Sequence, residues 1–243
     1  MSATESKFID KKVELPATVI ERAESSHPGD EFKNEAEWLR CVKEDFPKFI
    51  PFLTKRCGLE FRGRVLEIGS GGARFTAELS KLPQVVEITT TDASSRLLKV
   101  QAPKVFKLLK AHEAKIKRMP SDFGKLDFPA NHFDVVVCAD ALHQAVSLLR
   151  VLREVRRVLK PGGFFVGIRE PVRPLMKFRS HKDKTAPPLG YAVSEYRDFF
   201  EHAGLKLELK RVVLSRGFKY YFDKAVNGLT HARYAFVATK AGR

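Results

Sequence analysis

The run Val65-Leu66-Glu67-Ile68-Gly69-Ser70-Gly71-Gly72-Ala73-Arg74 joins an apolar, strand-like stretch to a helix-like one through a turn with almost no side chains, and sets one carboxylate in front of it. Glycine accepts positive backbone dihedrals and lets a ligand come close to the main chain, so such a turn is suited to a nucleoside. A dinucleotide fingerprint G-x-G-x-x-G starting at Gly69 would need a third glycine where Arg74 stands, which weakens a nicotinamide reading. Asp92 closes the next apolar run. A carboxylate there offers two oxygens at the spacing of vicinal hydroxyls and can receive a ribose. Farther on, Cys138-Ala139-Asp140-Ala141-Leu142-His143-Gln144 follows a Val-rich run. The His143 imidazole titrates near neutrality, which makes it the first candidate for a general base, with Asp140 the second.

Such residues need a scaffold that gathers strand ends. From Arg64 the chain alternates strand and helix, which predicts an α/β fold with a parallel sheet covered on both faces. The pattern gives strands over Arg64 to Ile68, Val85 to Thr91, Lys115 to Met119, Phe133 to Cys138 and Phe164 to Ile168. It gives helices over Ala73 to Leu82, over Ser94 to Ala114 with an interruption at Pro103, and over Leu142 to Leu159, ended by Pro161-Gly162-Gly163. A basic, proline-containing loop runs to Gly190. A helix over Ser194 to Ala203, a strand over Leu205 to Leu214, a helical stretch around Tyr221 to Leu229 and a strand over Arg233 to Thr239 close the chain. Residues 1–35 are polar and without a sustained period, an arm or lid. From Asn34, Trp38, Leu39, Val42, Phe46, Phe49, Ile50 and Leu53 return at helical spacing, and Pro47 and Pro51 divide the run into short helices.

Glu67-x-Gly69-x-Gly71, Asp92, Asp122-Phe123 and the order of elements resemble the class I S-adenosylmethionine-dependent methyltransferases, in the small-molecule branch typified by ubiquinone and menaquinone biosynthesis. The resemblance implies a Rossmann-like seven-stranded sheet of order 3-2-1-4-5-7-6, its last strand antiparallel. It divides the chain into an arm and helical lid over 1–60 and a cofactor-binding domain over 61–243. It implies that Glu67, Gly69, Ser70, Gly71, Asp92, Ala93, Asp122, Phe123, Ala139 and Asp140 surround S-adenosyl-L-methionine, which leaves as S-adenosyl-L-homocysteine. Asp122 would receive the adenine amino group, and the Phe123 amide would donate to a ring nitrogen. Ala73 stands where the family often has a third glycine. Ala139-Asp140-Ala141 is not the Asn/Asp-Pro-Pro-Tyr/Phe of nucleic-acid amino methyltransferases, and Cys138 lacks the Pro-Cys setting of cytosine-C5 enzymes.

Methyl transfer from a sulfonium is an in-line displacement, so the protein's main tasks are alignment and exclusion of water. Arg169-Glu170-Pro171 supplies no converging set of carboxylates, and no metal is expected. Acceptor binding is assigned to Trp38, near Phe46 and Phe49, and to Arg169, Arg173 and Tyr191 around the basic loop, whose arginines suit a carboxylate or phosphate. The acceptor is thus a small or medium-sized organic molecule, anionic ones included.

The 243 residues suffice for one large domain. Three scattered cysteines, Cys41, Cys57 and Cys138, read as core thiols of a reducing compartment, and a cytoplasmic location is expected. The net charge is +15; residues 1–60 carry 10 Lys+Arg against 12 Asp+Glu, leaving 34 against 17 for the rest. Lys104, Lys107 and Lys110 recur at a spacing of three opposite Val105, Leu108 and Leu109, the pattern of an amphipathic surface helix. Such a balance attracts polyanions. It keeps open an RNA-modifying methyltransferase, or a non-catalytic methyltransferase-like partner that docks through its basic surface.

Overall fold

The computed structural model describes residues 5–10, 16–25, 46–173, 190–214 and 234–240. Its central sheet contains β1 (Lys7–Phe8), β2 (Gly63–Ile68), β3 (Val85–Asp92), β4 (Ile116–Pro120), β5 (Phe133–Ala139), β6 (Leu159–Ile168), β9 (Leu205–Arg211) and β10 (Tyr234–Lys240). They lie side by side as β1-β4-β3-β2-β5-β6-β10-β9, with β10 antiparallel to both neighbours. Setting β1 aside, this is the seven-strand order expected above. β1 corrects the expected count: the amino-terminal arm adds an eighth strand, parallel to β4 with Lys7 opposite Lys117 and Phe8 opposite Arg118. Two residues are too few to show a period, so nothing in the sequence marks it.

The strands read as apolar runs because both faces are covered. Alternate residues serve opposite layers. Val65, Val135, Val137 and Val166 pack with Phe46, Phe49, Phe52, Leu53, Phe75 and Leu79, which come from α2 (Phe46–Pro51), the π turn after it and α3 (Arg74–Ser80). Leu66, Val136 and Phe165 face the other way, onto α5 (Leu148–Val158) and α6 (Val193–His202). On α5 the buried Leu148, Val151, Leu152, Val155 and Val158 form one stripe at helical spacing. Between β3 and β4 a π turn (Leu97–Gln101) leads into α4 (Ala102–Leu109). An amino-terminal helix, α1 (Ala17–Ser25), and a two-strand pair, β7 (Val172–Arg173) with β8 (Tyr191–Ala192), complete the described elements.

Two expected helices are shorter than read. The helical stretch expected over Ser94 to Ala114 is divided beside Pro103, where a π turn over Leu97–Gln101 passes into α4, and it ends early at Lys110, which takes a left-handed conformation. The helix expected from Leu142 begins only at Leu148, capped by Ser147, whose hydroxyl accepts from the Arg150 amide; Leu142–Gln144 form a separate 3-10 turn. Among the described residues no helix is long and apolar enough to cross a membrane. The expected helix around Tyr221 to Leu229 and most of the basic loop after β7 lie outside the described residues, as do Trp38 and Cys41.

Candidate functional site

The glycine turn is built around Glu67. This side chain is 1% exposed, and its Oε2 accepts the Thr76 amide of α3 at 2.9 Å together with a short bond from the Thr76 hydroxyl. Burial pushes its carboxyl up to about 7 against the pull of these bonds, and the nearby charge of Asp92 adds to the rise. Glu67 therefore pins strand to helix beneath the turn. Above it, Gly69 has φ +59°, and a Cβ there would meet the Ala141 Cβ at 2.7 Å, so neither conformation nor space admits a side chain. Gly71 and Ala73 also have positive φ, +53° and +56°. Ala73 occupies in strained form the position where the family often has glycine.

Asp92 ties the end of β3 to the turn after β2. Its Oδ2 accepts the Gly71 amide and its Oδ1 the Ser94 amide, both at 2.8 Å, which spreads its two oxygens at the mouth of the turn. The main chain of Asp92 accepts from the Ser121 amide at 3.0 Å, and this brings the next loop alongside. There Asp122 Oδ1 accepts the Gly124 amide at 2.7 Å.

Gly69, Asp92, Ala93, Asp122, Phe123 and Gly124 line a cavity that opens to solvent. Gln144, Val146, Ser147, Arg150 and Val151 line it as well, together with Val19 of α1. Arg150 and the 144–147 stretch were not singled out from the sequence, though Ser147 ahead of an apolar helix is a recognisable cap.

At the end of β5 the chain turns sharply. Asp140 has φ +59°, and on the neighbouring strand end Arg169 has φ +63°; their side chains stand 3.8 Å apart. Next to Arg169 comes Glu170, which the sequence reading passed over except as a poor metal ligand. Its side chain is fully buried and takes four N–H donors: Oε1 accepts the amides of Ala141 at 2.8 Å and Leu142 at 3.0 Å, and Oε2 lies 3.3 Å from the His143 amide and 3.2 Å from His143 Nδ1. Cys138 Sγ sits 3.7 Å from Oε1. Burial alone would lower the His143 imidazole, but its hydrogen bond to Glu170 and the charges of Glu170 and Asp140 raise it above the ordinary value. In the neutral ring, Nδ1–H donated to the carboxylate leaves Nε2 as the acceptor nitrogen. His143 and Asp140 lie beside the cavity, in the turn that leads to Gln144, and do not line it.

The residues expected to hold an acceptor fall into two groups. Arg169 lies with its guanidinium carbon 5.6 Å from the centre of the Phe46 ring, and Arg74 approaches the same ring at 4.8 Å. Arg173 instead forms a short ion pair with Glu195 at the start of α6, and Tyr191 packs edge-on against Tyr196 and Phe199, at 5.4 and 5.1 Å. Among the described residues no three His, Cys, Asp or Glu side chains converge as a metal site.

The turn fits a nucleoside bearing an amino-acid tail. Gly69 lines the cavity with main chain alone, and Ser70 Oγ is buried without a partner, an orphan that a ligand would satisfy. A protein-family model described as a methyltransferase domain matches residues 66–167. The ubiquinone/menaquinone biosynthesis C-methyltransferase UbiE of Nitrosospira multiformis is 30% identical over 244 residues, covering 90% of this chain and 96% of that one. The protein of the same description from Pseudomonas aeruginosa is 34% identical over 113 residues, and that match spans only 46% of this chain and 43% of the relative. The crystal structure of a SAM dependent methyltransferase from Aquifex aeolicus superposes with a TM-score of 0.60 at 20% identity, covering 87% of this chain and 96% of that one. A near full-length relative, the strand order with its reversed β10 and a glycine turn pinned by Glu67 and Asp92 agree, and the chain belongs to the class I S-adenosylmethionine-dependent methyltransferases.

Proposed function

We propose that the protein transfers a methyl group from S-adenosyl-L-methionine to a carbon atom of a small or medium-sized organic acceptor, anionic ones included. The observation that carries this reading is that Gly69, Asp92, Ala93, Asp122 and Phe123 line one cavity. The cofactor supplies an activated methyl group on a positively charged sulfur. Asp92 receives the ribose hydroxyls, Asp122 and the Phe123 amide read the adenine edge, and the Gly69–Gly71 turn, with Ser70, supports the methionine portion. Ala139, the last residue of β5, and Asp140 after it are assigned to the reacting end, beside the cavity. The carbon acceptor is supported by the description of the Nitrosospira relative, a C-methyltransferase of ubiquinone/menaquinone biosynthesis.

His143, held through Nδ1 by Glu170, takes the acceptor's proton on Nε2 where the acceptor must lose one, with Asp140 as the second candidate. Trp38, Arg169, Arg173 and Tyr191 are proposed on the acceptor side, and Arg169 is the one that stands next to Asp140.

Calorimetry with S-adenosyl-L-homocysteine tests the cofactor site. The wild-type chain is expected to bind, and Asp92→Ala to weaken binding by about 1.5–3 kcal/mol, the scale of hydrogen bonds to a charged group. Absence of binding to the wild-type chain refutes the proposal, and an unchanged affinity in Asp92→Ala removes that carboxylate from the site.

A further inference from the structure

The helix between β3 and β4 turns two very different faces outward and inward. Leu97, Leu98, Ala102, Val105, Phe106 and Leu109 are buried. The opposite face presents Arg96, Lys99, Val100, Lys104, Lys107 and Lys110, all exposed. No acidic residue occurs between Ala93 and His112. Lys99 is partnered by Asp10 at 3.6 Å, whereas Arg96, Lys104, Lys107 and Lys110 make no ion pair among the described residues. Several cations elsewhere are paired: Lys117 with Glu87, Lys160 with Asp134 and Arg157 with Glu154. Four unneutralised charges on one convex face give a local field of one sign, and a face of one sign recruits an extended surface of the other.

We propose that this face docks the protein peripherally on an anionic lipid bilayer. Three observations favour a bilayer over a nucleic acid. The charges are three lysines and one arginine on flexible stems, which suit a laterally mobile array of headgroups better than a fixed bidentate contact. Val100 is half exposed between Arg96 and Lys104, a small apolar contact at headgroup level. The large hydrophobic side chains exposed among the described residues are Val86, Val100 and Val146, so no aromatic platform is offered on which bases could stack. The apolar face of the helix is committed to the core, so attachment is electrostatic and reversible rather than insertive. The basic face begins at Arg96, four residues after Asp92 of the cavity wall, so a docked molecule carries its pocket beside the lipid surface.

The full-length chain is sedimented with vesicles of phosphatidylcholine alone and of phosphatidylcholine with about one third phosphatidylglycerol, at low and high salt. Binding is expected only to the anionic vesicles and only at low salt. Each cation at the surface contributes about five-fold in partitioning, the equivalent of about 1 kcal/mol, so Lys104→Gln/Lys107→Gln/Lys110→Gln is expected to bind about 100-fold more weakly. A triple variant of exposed cations on α5, α6 and β9, Arg153→Gln/Arg197→Gln/Lys206→Gln, has the same net charge and is expected to retain binding. The positions are solvent-exposed, and matching thermal unfolding of both variants verifies that each is folded. Absence of wild-type binding to anionic vesicles, or equal losses in the two triple variants, overturns the proposal. A single-stranded RNA whose binding falls in the α4 variant while vesicle binding stays at the wild-type level overturns it in favour of nucleic acid.

Discussion

Replacing Glu170 by Gln tests the turn at the reaction end of the site, because the substitution keeps the shape and removes only the charge and two acceptor positions. Glutamine can direct its carbonyl oxygen at the amides of Ala141 and Leu142, where Glu170 Oε1 now accepts at 2.8 and 3.0 Å. Its NH₂ then points donors at the His143 amide and Nδ1, the two groups now held by Oε2 at 3.3 and 3.2 Å. Two hydrogen bonds to a charged partner are lost in a fully buried place, at about 1.5–3 kcal/mol each; because both are long, the lower end applies and the expected loss of stability is about 3 kcal/mol. The loss depends on pH. In the wild type the His143 value is raised, so its contribution to stability is complete below the ordinary imidazole value and fades as pH rises through the raised one. In the Gln variant burial acts without Glu170's charge, and the imidazole falls. The stability gap, from urea unfolding, is therefore widest near about pH 5.5 and narrowest near about pH 8.5. Nuclear magnetic resonance titration of His143 provides the site-specific readout. A gap that does not change with pH, or an imidazole titrating identically in both proteins, would refute the reasoning.

Other expectations follow from the glycine turn. Ala73→Gly relieves a buried left-handed alanine and is expected to raise stability by about 0.5–1 kcal/mol in thermal or urea unfolding, and a destabilised variant would contradict the strain argument. Gly69→Ala places a methyl 2.7 Å from that of Ala141 and is expected to cost about 1–3 kcal/mol of stability and to abolish S-adenosyl-L-homocysteine binding by calorimetry; retained binding would show that the turn relaxes. The Glu67 carboxyl is raised from its ordinary 4.5 to about 7, so the folded state holds a proton that the unfolded chain releases, and stability falls as pH climbs through that window. Glu67→Gln removes the penalty: the variant should gain up to about 3 kcal/mol near about pH 8 and nothing near about pH 4, each pH unit being worth about 1.4 kcal/mol. A gain equal at both would place the proton elsewhere.

The parts of the site legible in the sequence are those whose signals are local. Glycines in a tight turn, Asp92 after a run of threonines and the Val-rich β5 all announce themselves within ten residues of the groups they serve. Glu170 does not, because it acts on Ala141, Leu142 and His143, 27 to 29 residues upstream, and only the pairing of β5 with β6 brings the two ends together. The same contact explains the misread helix. Apolar spacing continues from Leu142 into Leu148, but Glu170 captures three amides at the start of that run and holds them in a separate turn. Asp140 and Arg169 were recognisable as strand-end residues; aspartate enters the left-handed region more readily than most residues, whereas arginine carries no such signal.

The two-residue strand β1 has a consequence for how the molecule behaves in a crowded solution. Without it, β4 would be an open sheet edge, and an open edge is a template for another chain. Ser6 bonds to Glu113, Arg118 reaches back to the Ser6 carbonyl, and Phe8 rests against Lys99 and Arg118, so a few polar and aromatic contacts fix a cover over that edge. Removing residues 1–10 should leave the interior of the domain intact while converting a self-limiting particle into one that recruits its own kind, with turbidity rising with protein concentration long before the fold itself is lost.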